Sequence, residues 1–403
     1  MKIINGGVCA AKGFTANGIH CGIRKNKTKR DLSLIYSEVV ANAAAVYTTN
    51  LVKGAPLQVT KSNISNGKAQ AIICNSGNAN TCNANGIEIA TKTCEILGEK
   101  LGICASDIVV ASTGVIGQPL DITPIENGIP ALIDGLGPCS DFAAEGIMTT
   151  DTKMKEIAVE FEIGGKVCKI GGIAKGSGMI HPNMATMLVF ITTDCAIAPD
   201  MLQKALSTDI QTTFNMVSVD GDTSTNDMVV VLANGMAEND EIIADGDDFE
   251  TFMKALNTVC VNLCRKIAAD GEGATKLLEC KVSGAESLEI AKVVAKSVVC
   301  SSLTKAAMFG ADANWGRVLC AIGYSGAKVD VNKIDVYFKS QKGEILVCEN
   351  GAGVDFSEEK AKEILLESEI EIIVNLNSGE AVSTAWGCDL TYDYVKINGD
   401  YRT

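Results

Sequence analysis

The sequence predicts a mixed α and β fold, and three observations support this. Some segments repeat apolar residues at helical spacing, while others alternate apolar and polar residues as strands do. Apolar residues make up 47% of the 403-residue chain and charged residues 21%, which is typical of a compact globular protein. The length allows two or three domains of roughly 150 residues each. Composition and periodicity support no finer architecture than this.

The helices follow from apolar positions three and four residues apart. Residues 86–102 form a first helix, and Asp200 begins a second one. The second helix is predicted to share one apolar face among Leu202, Leu206, Ile210 and Phe214. A third helix runs from about Phe249 to Ile267 and breaks at the glycine-rich residues 270–273. Near the C-terminus, Ser357 is predicted to cap a further helix that reaches about Glu367.

The strands follow from alternation and from short apolar runs. Residues 157–163 alternate, Gly164 and Gly165 form a two-residue turn, and residues 167–173 return, which predicts a β-hairpin. Residues 187–191 are continuously apolar, as in a strand buried on both faces. Further alternation at 334–338, and strands on both sides of residues 377–379, predict a smaller α+β domain at 281–403, after a core at 1–280.

Charge and cysteine content exclude several classes of protein. The formal net charge of -14 argues against nucleic-acid binding, which depends on Lys and Arg. The first residues lack the apolar region of a signal peptide, and no stretch reaches the ~20 apolar residues that span a bilayer. The 16 cysteines are scattered without a CxxC pair, as small buried side chains of a cytosolic protein are. We therefore expect a cytoplasmic protein without nucleic-acid or membrane partners.

The residues available for catalysis are restricted. The chain has no GxGxxG, GxxxxGK[ST] or GxSxG motif, and its two histidines form no HExxH pair, so no metal site is expected. A Ser or Thr nucleophile could instead use the chain's own α-amino group as base, whose pKa is about 7.7–8.0. Such an enzyme must first cut its own chain.

Thr186 is a sterically sensible position for that cut. It follows Ala185 and a loop rich in Gly and Pro, and it lies where the loop enters the predicted buried strand. Strain in the loop could help the Thr186 hydroxyl attack the Ala185 carbonyl. The pattern alone favours the simpler interpretation that Thr186 only starts a strand.

Several motifs, in order along essentially the whole chain, resemble the ornithine acetyltransferase family, the glutamate N-acetyltransferases of arginine biosynthesis. The central one is KGSGMIHPNMATML at 175–188, which resembles the family's cleavage site. The others are CNSGNAN (74–80), ASTGVIGQPL (111–120), DGDTSTND (220–227), DGEGATK (270–276) and GCDLTYDYVKINGDYRT (387–403).

The resemblance implies a precursor that cleaves between Ala185 and Thr186 into an α chain (1–185) and a β chain (186–403). Thr186 then takes the acetyl group of N2-acetylornithine and passes it to glutamate, in a ping-pong reaction without a diffusible cofactor. Family members assemble as α2β2 heterotetramers, and we expect the same here. The sequence leaves open whether acetyl-CoA also serves as a co-substrate.

The resemblance also implies roles for individual residues. Thr113 and Gly114 correspond to the family's oxyanion hole, a hydroxyl and a backbone N–H aimed at the oxygen that becomes negative. The substrate contacts correspond to Thr152, Lys175, Thr186, Glu272, Asn398 and Thr403. Lys175 suits a substrate carboxylate, and Glu272 is expected to meet the ornithine ammonium or to move a proton. From pattern alone, Lys175 and Glu272 would be solvated surface groups and Thr113 part of an ordinary turn.

The fold implied by the resemblance is a layered α-β-β-α core, shared with a self-cleaving aminopeptidase family, followed by the smaller C-terminal α+β domain. Two other functions stay open. One is a self-processing aminopeptidase or amidase, in which water accepts the acyl group. The other is an unprocessed amino-acid-binding protein that keeps the fold.

Overall fold

The computed structural model describes residues 1–181 and 187–399, and these form two compact units. The first contains residues 1–176, 187–211 and 223–263. The second contains Ser177–His181, Thr212–Asp222 and residues 264–399. Both units combine helices with a sheet, so the predicted mixed α and β class is confirmed.

The described strands and helices have the following bounds. The strands are β1 Lys2–Ile4, β2 Phe14–Ile19, β3 Leu32–Tyr47, β4 Lys68–Asn75, β5 Ile108–Ser112, β6 Lys155–Ile163, β7 Lys166–Lys175, β8 Leu188–Thr193, β9 Met228–Ala233, β10 Leu277–Ala285, β11 Asp335–Ser340, β12 Gly343–Glu349, β13 Ala352–Gly353, β14 Glu369–Asn375 and β15 Ala381–Cys388. The helices are α1 Ala55–Asn63, α2 Gly86–Leu101, α3 Thr123–Asp134, α4 Ser140–Gly146, α5 Pro199–Asp209, α6 Asp247–Ala269, α7 Leu288–Cys300, α8 Ser302–Phe309, α9 Trp315–Gly323, α10 Glu358–Leu365 and α11 Tyr392–Gly399.

The first unit is built on one mixed sheet, with strand order β1-β6-β7-β8-β9-β3-β4-β5 and β2 paired to β3. Side chains from one face of β3, β4, β5, β8 and β9 share a single apolar core, which includes Ile72 and Phe190. Helices cover the opposite face. Residues of α1, α2 and α3 pack on β3, β4 and β5, and Phe252 of α6 packs edge-on against Phe161 of β6. A sheet with a shared apolar core on one face and helices on the other confirms the predicted α/β core.

The second unit contains a six-stranded sheet of order β13-β12-β11-β14-β10-β15. Helix α7 packs on β10 and β15, and α10 packs on β11. This is the predicted C-terminal α+β domain, and residues 264–280 cluster with it. The domain boundary at residue 280 stays a prediction. The division into two chains also stays a prediction, because Ala185 and Thr186 lie outside the described residues.

Most elements with a clear pattern are confirmed. The hairpin of β6 and β7 turns at Gly164 and Gly165, whose φ angles of 54° and 78° suit a primed turn. Ser357 caps α10 by accepting a hydrogen bond from the Lys360 N–H. One expectation was wrong: α5 ends at Asp209, and Phe214 lies in a separate 3-10 segment, Phe214–Met216. The intervening Thr212 and Thr213 are β-branched and disfavour a continued helix.

None of the helices in the described part of the chain combines the length and the apolar character needed to cross a membrane.

Candidate functional site

The Thr113-Gly114 turn lies directly after β5 in the first unit. The Thr113 N–H donates to the Asn75 carbonyl oxygen at 2.9 Å, which continues the pairing of β4 and β5 by one step. Gly114 has a φ of 124°, and a Cβ there would lie 2.7 Å from the Gly77 carbonyl carbon. Only glycine fits this position without displacing backbone. The turn therefore presents the Thr113 hydroxyl and a glycine backbone from a fixed strand end.

Two buried amides hold this turn in place. Asn75 Nδ2 donates to Ser112 Oγ at 2.7 Å, and Asn75 Oδ1 accepts from the Asn78 N–H at 3.1 Å. Asn226 Nδ2 donates to the Ser112 carbonyl oxygen at 2.9 Å. Neither Asn75 nor Asn226 was predicted as a site residue, although both lie in motifs that carried the resemblance. Their signal was an amide side chain at the end of one apolar strand and another two residues before the start of the next.

Lys175 ends β7 with its side chain largely buried, at 8% exposure. Its Nζ lies 3.5 Å from Thr113 Oγ1. Because an ammonium can only donate, the Thr113 oxygen is the acceptor in this contact, and the hydroxyl proton is directed elsewhere. The structure therefore brings together two residues that are 62 positions apart in the sequence. The expectation from pattern alone, that Lys175 is a solvated surface group, was wrong.

Asp151 anchors the chain next to Lys175. Its Oδ1 accepts hydrogen bonds from the Gly176 N–H at 2.7 Å and from Lys155 Nζ at 2.6 Å, and both side chains of this ion pair are buried. Burial opposes ionisation of Asp151, but the ammonium groups of Lys155 and Lys175 and the Gly176 N–H outweigh it and lower the pKa of the carboxyl. Asp151 is therefore ionised, and Lys155 offsets its charge.

A second buried carboxyl, Asp227, precedes β9 and is only 3% exposed. Its Oδ2 has no hydrogen-bond partner among the residues that the structure describes. Burial raises the pKa of Asp227 well above its ordinary value, against the opposing effects of Ser224 and the Lys175 charge. A raised pKa favours the neutral carboxyl, so Asp227 offsets the Lys175 charge less than an ordinary aspartate would. Lys175 is thus a candidate to attract a substrate carboxylate.

Asp227→Asn is expected to stabilise the protein at pH 8. A carboxyl whose pKa is raised by folding binds its proton more tightly in the folded than in the unfolded protein. The free energy of unfolding therefore falls as the pH rises from the unfolded pKa of about 3.9 towards the folded pKa. Removing the ionisable group should raise the free energy of unfolding by about 1 kcal/mol or more at pH 8, and by much less at pH 4. Urea denaturation at both pH values measures this. The exposed Asp222→Asn serves as control, and an equal effect of both variants would contradict the assignment.

Glu272 and Asn398 meet in the second unit. Glu272 is buried, at 7% exposure, and its Oε2 accepts a hydrogen bond from Asn398 Nδ2 at 2.7 Å. The Glu272 N–H donates to the Ser177 carbonyl oxygen at 3.0 Å. Asn398 itself lies on the exposed surface of α11. The expectation that Glu272 is a solvated loop carboxylate was therefore wrong, and the contact with Asn398 fits a shared role.

The other predicted site residues are placed as follows. Thr152 is exposed and directly follows the buried Asp151. Ala185, Thr186 and Thr403 lie outside the described residues. His181, one of the two histidines, lies in the second unit with its Nδ1 3.1 Å from Ser218 Oγ. Within the described residues, the structure joins Thr113 with Lys175, and Glu272 with Asn398.

No group of three or more His, Cys, Asp or Glu side chains within residues 1–181 and 187–399 is arranged to hold a metal ion.

Thr113→Ala is expected to lower kcat about 10²- to 10³-fold, the usual effect of removing one donor to a developing oxyanion. Folding should be little affected, because Thr113 is half-buried and its backbone hydrogen bond remains. Single-turnover rates per folded protein measure the effect. Thr113→Ser keeps the hydroxyl and should stay close to wild type. An unchanged rate in Thr113→Ala would exclude the hydroxyl from catalysis.

A strand-end hydroxyl, a glycine backbone and a buried ammonium are groups that stabilise the anionic intermediates of acyl transfer. Such a set of groups is typical of an acyl-transfer enzyme. The chain belongs to the ArgJ family, whose model matches residues 15–403. It is an acyltransferase of arginine biosynthesis, as the sequence predicted.

Known relatives cover the whole chain. It is 51% identical over 405 residues to the arginine biosynthesis bifunctional protein ArgJ of Caldanaerobacter subterraneus subsp. tengcongensis, with 100% of both chains covered. It is 49% identical over 406 residues to the protein of the same name from Symbiobacterium thermophilum, again with 100% of both covered. A crystal structure of ArgJ from Bacillus halodurans matches with a TM-score of 0.50 and 49% identity, covering 53% of this chain and 97% of that one.

Proposed function

We propose that this chain transfers the acetyl group of N2-acetylornithine to glutamate through an acetyl ester on Thr186. The Thr186 hydroxyl oxygen attacks the acetyl carbonyl, the amide C–N bond breaks, and the α-amine of Thr186 passes the hydroxyl proton to the departing ornithine nitrogen. The glutamate amine then attacks the ester carbonyl, which releases acetylglutamate and restores the hydroxyl.

The observation that carries this proposal is the contact between Lys175 and Thr113. The Lys175 ammonium is buried; of the two carboxyls that act on it, Asp151 is shared with the Lys155 ammonium, and the raised pKa of Asp227 favours its neutral form. Such a charge attracts the α-carboxylate that acetylornithine and glutamate share, while the Thr113 hydroxyl and the Gly114 N–H face the developing oxyanion. Because recognition depends on the shared α-carboxylate, one site can bind acetylornithine and glutamate in turn, although their side chains carry opposite charges.

The proposal includes cleavage between Ala185 and Thr186, because only cleavage supplies the α-amine that acts as base. The length of a relative supports this step. The Bacillus halodurans chain is almost wholly covered, yet it matches only 53% of this chain. That share is close to the size of residues 186–403, so the relative's chain has about the length expected of one cleavage product.

The remaining features are proposed from the family. We propose that the enzyme needs no cofactor, that it assembles as an α2β2 heterotetramer and that it acts in the cytoplasm. The relatives are named bifunctional proteins of arginine biosynthesis. This name favours a second activity, for which acetyl-CoA acting as acetyl donor to glutamate is the simplest candidate.

The test is the release of ornithine from N2-acetylornithine with and without glutamate. Acetyl transfer predicts release that depends on glutamate, with one acetylglutamate formed for each ornithine. Equal release without glutamate would identify a hydrolase. No release, together with one uncut chain, would favour an amino-acid-binding protein. Adding acetyl-CoA and glutamate without acetylornithine tests the second activity.

A further inference from the structure

Asp220 fastens the loop that leads towards the predicted cleavage site. Its Oδ2 accepts from the Met179 N–H at 2.7 Å, and its Oδ1 accepts from the Ile180 N–H at 2.8 Å. The neighbouring Val219 N–H donates to the Ile180 carbonyl oxygen at 2.7 Å. Met179 has a φ of 57°, a left-handed conformation that is unfavourable for a side chain of this kind. The two charge-assisted hydrogen bonds from Asp220 stabilise this conformation.

The same loop forms the surface on which the Glu272 carboxylate lies. A Cβ on Gly178 would come within 2.4 Å of Glu272 Cδ and Oε2 and 2.5 Å of Oε1, so the carboxylate packs directly on the glycine backbone. The Ser177 carbonyl oxygen accepts from the Glu272 N–H, and Ser177 Oγ donates to the Asp270 carbonyl oxygen at 2.7 Å. A shift of this loop therefore changes the position of the Glu272 carboxylate.

Asp220 also contacts the helix that carries Asn398. The Tyr394 hydroxyl donates to Asp220 Oδ2 at 3.3 Å, and Asn398 Nδ2 donates to the Tyr394 carbonyl oxygen at 3.1 Å as well as to Glu272. Burial and the charges of Asp220, Glu272 and Asp222 raise the pKa of Tyr394, which keeps the hydroxyl protonated as a donor. The Asp220 carboxylate thus contacts both elements that pack against Glu272, the loop of residues 177–181 and helix α11.

We propose that Asp220 is a positioning residue for the Glu272–Asn398 pair, holding the loop of residues 177–181 and helix α11 in the arrangement that the acetyl-donor site requires. This rests on the proposed function, in which Glu272 and Asn398 contact substrate. It also gives the cleaved enzyme a connection between its chains, since residues 177–181 would belong to the α chain and Asp220 to the β chain. The exposed Asp222, in the same DGD sequence, makes neither of the two loop hydrogen bonds.

The experiment is a double-mutant cycle on the full-length protein with Asp220→Asn and Glu272→Gln. Asp220→Asn keeps the side-chain shape but loses the charge and one acceptor, and should lower kcat/KM for N2-acetylornithine about 10- to 100-fold. If Asp220 acts through Glu272, adding Asp220→Asn to Glu272→Gln should cost less than about threefold more. Effects that multiply in the double variant would overturn the proposal. Asp222→Asn should stay within about twofold of wild type.

Two further measurements keep the outcome clear. Rates are expressed per cleaved chain, determined by intact mass, so that a defect in cleavage is not counted as a defect in transfer. If Asp220→Asn stays uncut, Tyr394→Phe replaces it, because this change removes one contact of Asp220 and leaves both loop hydrogen bonds in place. It should lower kcat/KM about threefold to tenfold, and only when Glu272 is present. A wild-type enzyme without glutamate-dependent ornithine release would instead contradict the proposed function.

Discussion

Thr186→Ala is expected to remain one chain of 42.2 kDa without acetyl transfer, whereas the wild type gives two chains. Dividing 42.2 kDa in the proportion 185 to 218 gives roughly 19 and 23 kDa. Two functions disappear together because one hydroxyl performs both: it attacks the Ala185 carbonyl in the precursor and the acetyl carbonyl in the mature enzyme. Intact mass under denaturing conditions, next to the ornithine-release assay, measures both losses.

Thr186→Ser provides the matched control, since it keeps a hydroxyl and the capacity to form an α-amine. It should cleave and should transfer acetyl at a reduced rate. Circular dichroism should show that Thr186→Ala folds, because its buried strand β8 and the sheet around it are unchanged. A cleaved Thr186→Ala, or one that transfers acetyl at the wild-type rate, would end the proposed mechanism. A wild type that stays uncut would remove the amine base.

Sequence patterns predicted those helices and turns that depend only on residues within the same segment. The hairpin at Gly164-Gly165 depends on two adjacent residues that accept positive φ, and the helices depend on apolar spacing within one segment. Phe214 is the exception, because the apolar spacing continues to this residue although the helix has already ended at Asp209. The pairing of β8 with β9 depends on residues about 40 positions apart, and no pattern within either segment encodes it.

The site was predicted by resemblance more than by pattern. Spacing alone gave no reason to join Thr113 with Lys175, since their contact requires the whole sheet between β5 and β7. Burial of Lys175 and Glu272 was likewise unexpected, because a charged side chain is normally exposed unless a fold provides partners for it. No role was predicted for the supporting residues Asn75, Asn226 and Asp220. Their function lies in hydrogen bonds to distant backbone, which become visible only after folding.

Asp151→Asn is expected to destabilise the protein by about 3–5 kcal/mol at pH 7, the usual cost of breaking a buried ion pair from one side. The change removes the carboxylate from the buried Lys155 ammonium, 2.6 Å away, and weakens the hydrogen bond from the Gly176 N–H. Because Gly176 follows Lys175, activity should fall together with stability. Urea denaturation in the uncut Thr186→Ala background measures the change independently of protein concentration.

The pH dependence and a matched pair test the assignment to Asp151. Its folded pKa is depressed, so its contribution is fully present above the unfolded pKa of about 3.9 and is lost as pH falls below that value. The gap between wild type and Asp151→Asn should therefore be constant from pH 5 to 8 and shrink below about pH 4. Lys204 and Asp245 form an ion pair of the same 2.6 Å length, with both side chains about half or more exposed. Asp245→Asn should cost less than about 1 kcal/mol, because water screens that pair. Equal costs for the two variants would show that burial does not set the strength of the Asp151–Lys155 pair.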